Sequence, residues 1–128
     1  MTNYDFKKLG QPMNQPSKDL ETFPKPASVT KVIFTSDEVT SFCPVTEQPD
    51  FNTVTIEYHP DELCVESKSL KLYLWTFRDE RIFGEGLAHQ IAEDLYAALR
   101  PFYIKITLVQ SIRGGLQMTA VAEIDRDD

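Results

Sequence analysis

Residues 66–99, ESKSLKLYLWTFRDERIFGEGLAHQIAEDLYAAL, decide the fold, because two helical patterns follow one another there with no strand between them. Over 66–78, Leu70, Tyr73, Leu74 and Phe77 recur at helical spacing and leave Lys68, Lys71 and Arg78 to face outward. Over 83–99, Leu87, Ile91, Leu95 and Leu99 fall every fourth residue, and Pro101 closes the run. Two such helices need a common apolar surface, and the flanking sequence supplies it.

Upstream, 29–35 is rich in β-branched and aromatic residues, and 53–58 (TVTIEY) alternates Val54, Ile56 and Tyr58 with Thr55 and Glu57. Downstream, Phe102, Ile104, Ile106 and Leu108 alternate with Tyr103, Lys105, Thr107 and Val109. Leu116, Met118, Ala120, Ala122 and Ile124 then alternate with Gln117, Thr119, Val121 and Glu123, with Arg113-Gly114-Gly115 as the turn between the two runs. The order ββααββ predicts an α+β fold in which two hairpins make one antiparallel sheet with both helices on one face. That sheet has two open edges, which invite pairing with another copy, so a homo-oligomer is expected.

The 128 residues suit one domain, placed at 29–128, and 1–28 reads as an extended arm because it holds four of the eight prolines. Acidic residues outnumber basic ones 20 to 13, for a net charge of -7, which argues against a nonspecific grip on nucleic acid. No apolar run reaches the roughly 18 residues of a membrane span, and the N-terminal stretch lacks the apolar core of a signal peptide. With only two cysteines, free thiols in a reducing cytoplasm are expected.

Between the first two strands lies SFCPVTEQPDF (41–51), whose two prolines and lack of periodicity mark a loop. Cys43 in that loop is placed to be accessible, whereas Cys64 in ELCVES suits packing as a small hydrophobe. Neither His59 nor His89 is near Cys43 in sequence, so a cysteine–histidine protease is poorly supported. Asp50 shares the loop; ionised, it would raise the thiol pKa, so a role for it is proton transfer. Glu66 and Glu85 open the two helices, either as simple partners of the helix dipoles or as carboxylates that accept two parallel N–H bonds from a purine-like base. Lys68 and Lys71 form either a solvated face or a phosphate contact. Glycine-rich dinucleotide or phosphate motifs and metal-ligand spacings are absent from the sequence.

FTSDEVTSFCPVTEQPDF (34–51) and VESKSLKLYLWTFRDE (65–80) together resemble the short form of the 7-cyano-7-deazaguanine reductase family, commonly called QueF. The resemblance implies the tunnelling fold, with subunits in a pentameric barrel and possibly a decamer, and sites at subunit interfaces. It further implies NADPH as cofactor and 7-cyano-7-deazaguanine, a precursor of the queuosine of tRNA, as substrate. Cys43 would attack the nitrile to give a thioimidate and Asp50 would donate the proton. Val65, Glu66, Ser67, Gly84 and Glu85 would hold the deazaguanine, and Lys68, Lys71 and Arg113 the cofactor. One position departs: where the family usually has Phe-His-Glu, this chain has Phe83-Gly84-Glu85, so restoring histidine there is expected to speed the second half of the reduction. Two other readings stand beside this one. One is the family's amidinotransferase branch, in which ammonia resolves the same adduct; the other is a noncatalytic purine- or pterin-binding module.

Overall fold

A computed structural model describes residues 17–127. Six strands and two helices follow in the order β1 (Thr22–Pro24), β2 (Val32–Phe42), β3 (Pro49–His59), β4 (Leu63–Val65), α1 (Ser67–Trp75), α2 (Gly84–Leu99), β5 (Tyr103–Gln110) and β6 (Thr119–Asp125), with a 3-10 turn at Thr76–Asp79 between the helices. The four long strands form one antiparallel sheet in the order β2-β3-β5-β6, so the expected ββααββ architecture holds. A two-stranded sheet of β1 and β4 is additional to it.

The alternation read from the sequence sets the two faces of the sheet. Val54, Ile56 and Tyr58 of β3 and Ile104, Ile106 and Leu108 of β5 are buried against Leu87, Ile91, Leu95 and Leu99 of α2. Each such side chain contributes roughly 1.5–3 kcal/mol by leaving water, so this seam accounts for much of the driving force. Residues in the other phase of the alternation, Ile33, Phe51 and Val121, stay about half exposed. Tyr73 joins α1 to α2 by donating its hydroxyl to Asp94 Oδ2 at 2.6 Å, and α2 ends where Arg100 turns into the left-handed region.

Several boundaries differ from the sequence reading. The segment 41–51 is a loop only over 43–48, because Ser41 and Phe42 pair with Asp50 and Pro49 and extend the hairpin. Backbone pairing prevails over the proline signal here, since Pro49 sits at the first position of its strand. The first strand starts at Val32, not Val29, and carries a bulge at Asp37 and Glu38. The first helix starts at Ser67 because Glu66 is its cap, and its end tightens to the 3-10 turn after Trp75. The last strand begins at Thr119; Arg113 to Leu116 close a separate tight turn in which Gly114 and Gly115 both take positive φ, of 56° and 75°.

Of the arm expected at 1–28, residues 1–16 lie outside the described residues. The remainder is laid along α1: Ser17 N–H donates to the Leu72 carbonyl, Glu21 N–H to Ser69 Oγ, and Thr22–Pro24 form β1. Lys18 pairs with Glu80 at 2.8 Å and lies 3.9 Å from the centre of the Phe77 ring.

Candidate functional site

Cys43 begins the six-residue loop that closes the β2–β3 hairpin. Its N–H donates to the Gln48 carbonyl and its carbonyl accepts from Glu47 N–H, while Glu47 takes a positive φ of 58°. A second strut holds the loop base: Phe42 N–H donates to the Glu80 carbonyl and Ile82 N–H to the Phe42 carbonyl. Arg81 adds an ion pair to Glu47. The thiol is partly exposed, and its pKa is lowered from the ordinary value. The main cause is a hydrogen bond from the Thr46 side chain, followed by the Thr46 and Val45 N–H groups; slight burial and the charge of Asp50 oppose it. Cys64 is the opposite case, 4% exposed and pushed up by burial, as the sequence reading expects of a packed thiol.

Asp50 stands on β3 directly across from Ser41, two residues from Cys43 along β2, and is 9% exposed. Its carboxylate lies 3.8 Å from the Arg113 guanidinium, which also donates to Gln48 Oε1 at 3.2 Å and to the Pro49 carbonyl. Arg113 thus braces the reactive loop and its acid together. Glu85, in the first turn of α2, lines a cleft of about 640 Å³ with Pro44, Arg81, Ile82, Phe83 and Gly86. Cys43, Asp50, Arg113 and Glu85 therefore gather at one end of the subunit.

Val65, Glu66 and Ser67 lie at the other end. Val65 N–H donates to the Tyr58 hydroxyl at 3.0 Å, and Tyr58 is eight residues along β3 from Asp50, about 26 Å at strand rise. Glu66 is buried, and both of its carboxylate oxygens are engaged as the cap of α1, accepting from Lys68 N–H at 2.7 Å and Ser69 N–H at 2.8 Å. The helix-dipole role weighed in the sequence is the one these bonds serve.

Lys71 and Arg78 line a second cleft, of about 680 Å³, that runs between α1 and β2 past Ser67, Trp75, Thr40 and the bulge at Asp37 and Glu38. Its volume is in the usual range for small-molecule sites, roughly 300–1,000 Å³, and two cations beside an indole fit the phosphates and ring of a dinucleotide. Arg113 is not among the residues that line this cleft. Among the described residues no cluster of histidine, cysteine and carboxylate has the makings of a metal site.

Thr46, Asn52 and Gln110 are not singled out by the sequence, and Arg78 is read there only as an outward-facing residue of the first helix. A Cys-Pro-Val-Thr run does hint that the threonine can turn back on the thiol, as short hydroxyl side chains do in tight turns. Asn52 and Gln110 had no such signal, because they meet only across the β3–β5 register.

A QueF-like protein family profile matches residues 49–128. The NADPH-dependent 7-cyano-7-deazaguanine reductase of Alkalilimnicola ehrlichii is 50% identical over 111 residues, covering 85% of this chain and 86% of that one. The enzyme of the same name from Nitrosospira multiformis is 46% identical over 112 residues, covering 86% and 81%. Among solved structures, the archaeosine synthase QueF-Like in its apo form superposes with a TM-score of 0.71 at 29% identity, covering 75% of this chain and 94% of that chain. With the profile spanning more than half of it and such relatives matching most of its length, this chain belongs to the QueF family.

Proposed function

We propose that this protein is the NADPH-dependent reductase that converts the nitrile of 7-cyano-7-deazaguanine to an aminomethyl group, a step in queuosine biosynthesis. The observation that carries the reading is the half-identity to a reductase of that name, together with a partly exposed thiol of lowered pKa next to a nearly buried acid. In this reading Cys43, as thiolate, forms a C–S bond to the nitrile carbon while Asp50 delivers a proton to the nitrile nitrogen, giving a neutral thioimidate. NADPH, when bound, supplies hydride, and two equivalents balance the four electrons between nitrile and amine. Later the C–S bond breaks and the pair returns to Cys43, whose lowered pKa favours its departure. Arg113 holds Asp50 and the loop in place throughout.

Lys68 and Lys71 are assigned to the cofactor phosphates, Lys71 together with Arg78 of the cleft that both line. Arg113, expected among the cofactor contacts, serves instead at the reacting end, where its bonds to Gln48 and Pro49 tie it. Glu85 is the carboxylate free to take the amidine edge of the base. Val65, Glu66 and Ser67 follow Tyr58, at the far end of β3 from Asp50, in the same subunit. They join the substrate only if a second copy brings its α1 end against the Cys43 end, and the open β2 and β6 edges support such an assembly. A homo-oligomeric barrel acting in the cytoplasm is therefore part of the proposal.

The test is to mix protein, nitrile and NADPH and follow NADPH absorbance and product mass. Oxidation of two NADPH per aminomethyl product is expected. The archaeosine synthase neighbour favours one second reading, resolution of the adduct by ammonia. An adduct that forms without any NADPH oxidation, and yields an amidine with ammonia, would replace the reductase by that reading.

A further inference from the structure

Gly84 is buried at the first position of α2, and the room that a side chain would occupy there is filled by another strand. A Cβ placed on Gly84 would stand 2.7 Å from Gln110 Nε2 and 3.2 Å from Gln110 Cδ, and would overlap Met118 Cε. Gln110 is the last residue of β5, pinned by its N–H to the Met118 carbonyl and by Ser111 N–H to the Phe51 carbonyl. Its register partner on β3 is Asn52, so the two side chains rise from neighbouring positions on the face that also bears Asp50. Asn52 is 2% exposed; its Nδ2 donates to Ser41 Oγ at 3.4 Å, but its Oδ1 is buried with no hydrogen-bond partner. A buried amide oxygen left this way is costly unless something donates to it in the working state.

The carboxamide of Gln110 thus packs on Gly84, the neighbour of Glu85 in sequence, and Gln110 pairs in register with Asn52, two residues along β3 from Asp50 on the same face. We propose that Gln110 is a specificity residue that hydrogen-bonds the bound heterocycle, with Gly84 providing its room and the unpartnered Asn52 Oδ1 beside it left as an acceptor for the same ring. The inference deepens the reductase reading and rests on it. The chemistry it fits is a flat ring carrying amide and amine groups, to which a carboxamide offers one donor and one acceptor in a plane. A histidine placed at 84 would have to displace Gln110 and Met118, so the two residues are alternatives for one space, and the gain expected of Gly84→His from the sequence disappears if Gln110 already fills the role.

The test compares Gln110→Leu, Gly84→Ala and the double variant by steady-state kinetics with 7-cyano-7-deazaguanine and NADPH, alongside thermal midpoints. Gln110→Leu removes one hydrogen bond at similar size, so KM for the nitrile should rise about three- to tenfold, while KM for NADPH moves less than about twofold. Gly84→Ala pushes the same carboxamide aside and should raise the same constant, and the double variant should be no worse than the more severe single one. Gly84→Ala keeps the inference testable if Gln110→Leu does not fold. An unchanged KM for the nitrile, equal rises for both substrates with a lower thermal midpoint, or additive losses would overturn the role of Gln110 in an active wild-type enzyme. A wild type that consumes no NADPH with the nitrile would instead overturn the reductase reading, and this inference with it.

Discussion

The two ends of the α1–sheet layer treat their polar groups in opposite ways. At the Val65 end, Glu66 has both oxygens on backbone N–H groups, Tyr58 accepts from Val65 N–H, and Cys64 is sealed in with a raised pKa. At the Cys43 end, the thiol is partly exposed with a lowered pKa, Asn52 Oδ1 has no partner, and Asp50 touches Arg113 only at 3.8 Å. Satisfied groups stabilise the fold, and groups kept partly unsatisfied remain available to a ligand. The same residue type therefore does different work at the two ends, and substitutions at six positions test that contrast.

The largest effect is expected at the cysteines. Cys43→Ala should abolish the covalent adduct that intact mass detects after mixing with the nitrile, whereas Cys64→Ala should retain it and lose only stability. Adduct surviving in Cys43→Ala would erase the contrast. Next, if Lys68 and Lys71 hold the cofactor phosphates as proposed, Lys68→Ala and Lys71→Ala each remove a charge-assisted contact worth roughly 1.5–3 kcal/mol. NADPH affinity, measured by titration, should fall about ten- to hundredfold, with nitrile affinity changed far less. Equal losses for both ligands would make α1 part of the substrate site.

Glu66→Ala removes the α1 cap and should lower unfolding free energy by about 1–2 kcal/mol in denaturant titration. If Glu66 also holds substrate from a neighbouring copy, Glu66→Gln, which keeps one acceptor oxygen for the cap, will lose nitrile affinity while keeping much of that stability. The smallest effect is a shift in pH dependence. Adduct formation needs the thiolate, and the Thr46 hydroxyl lowers the thiol pKa, so the rate should rise with pH around a midpoint below that of an ordinary thiol, about 8.5. Thr46→Val should move that midpoint upward and leave the plateau nearly unchanged; no shift would mean that the loop N–H groups alone activate the thiol.

Periodicity exposed the sheet, the two helices and the Leu87–Leu99 seam because those positions are chosen by burial alone. The hairpin end was less legible. Pro44 and Pro49 suggested a loop of eleven residues, yet cross-strand pairing shortens it to 43–48, and that pairing depends on β3 already lying in the sheet. Cys43 and Asp50 could be picked out as chemistry-bearing residues, but that Asp50 faces Ser41 is a matter of register. Gln110 over Gly84 is less visible still, since it joins residues from β5 and α2 that are twenty-six apart and share no motif. Likewise, nothing in ESKSLKLY distinguishes a capping Glu66 from a ligand-binding one, because both uses want a carboxylate at the head of a helix.

The most direct measurement of the central claim is peptide-resolved mass spectrometry of the wild-type protein mixed with 7-cyano-7-deazaguanine, first without NADPH and then with it. One substrate mass should appear on the peptide bearing Cys43 and none on that bearing Cys64. Adding NADPH should discharge it as the aminomethyl product with two NADPH consumed. An adduct on Cys64, or no adduct and no NADPH consumption, would contradict the assignment of the Cys43 end as a reductase site.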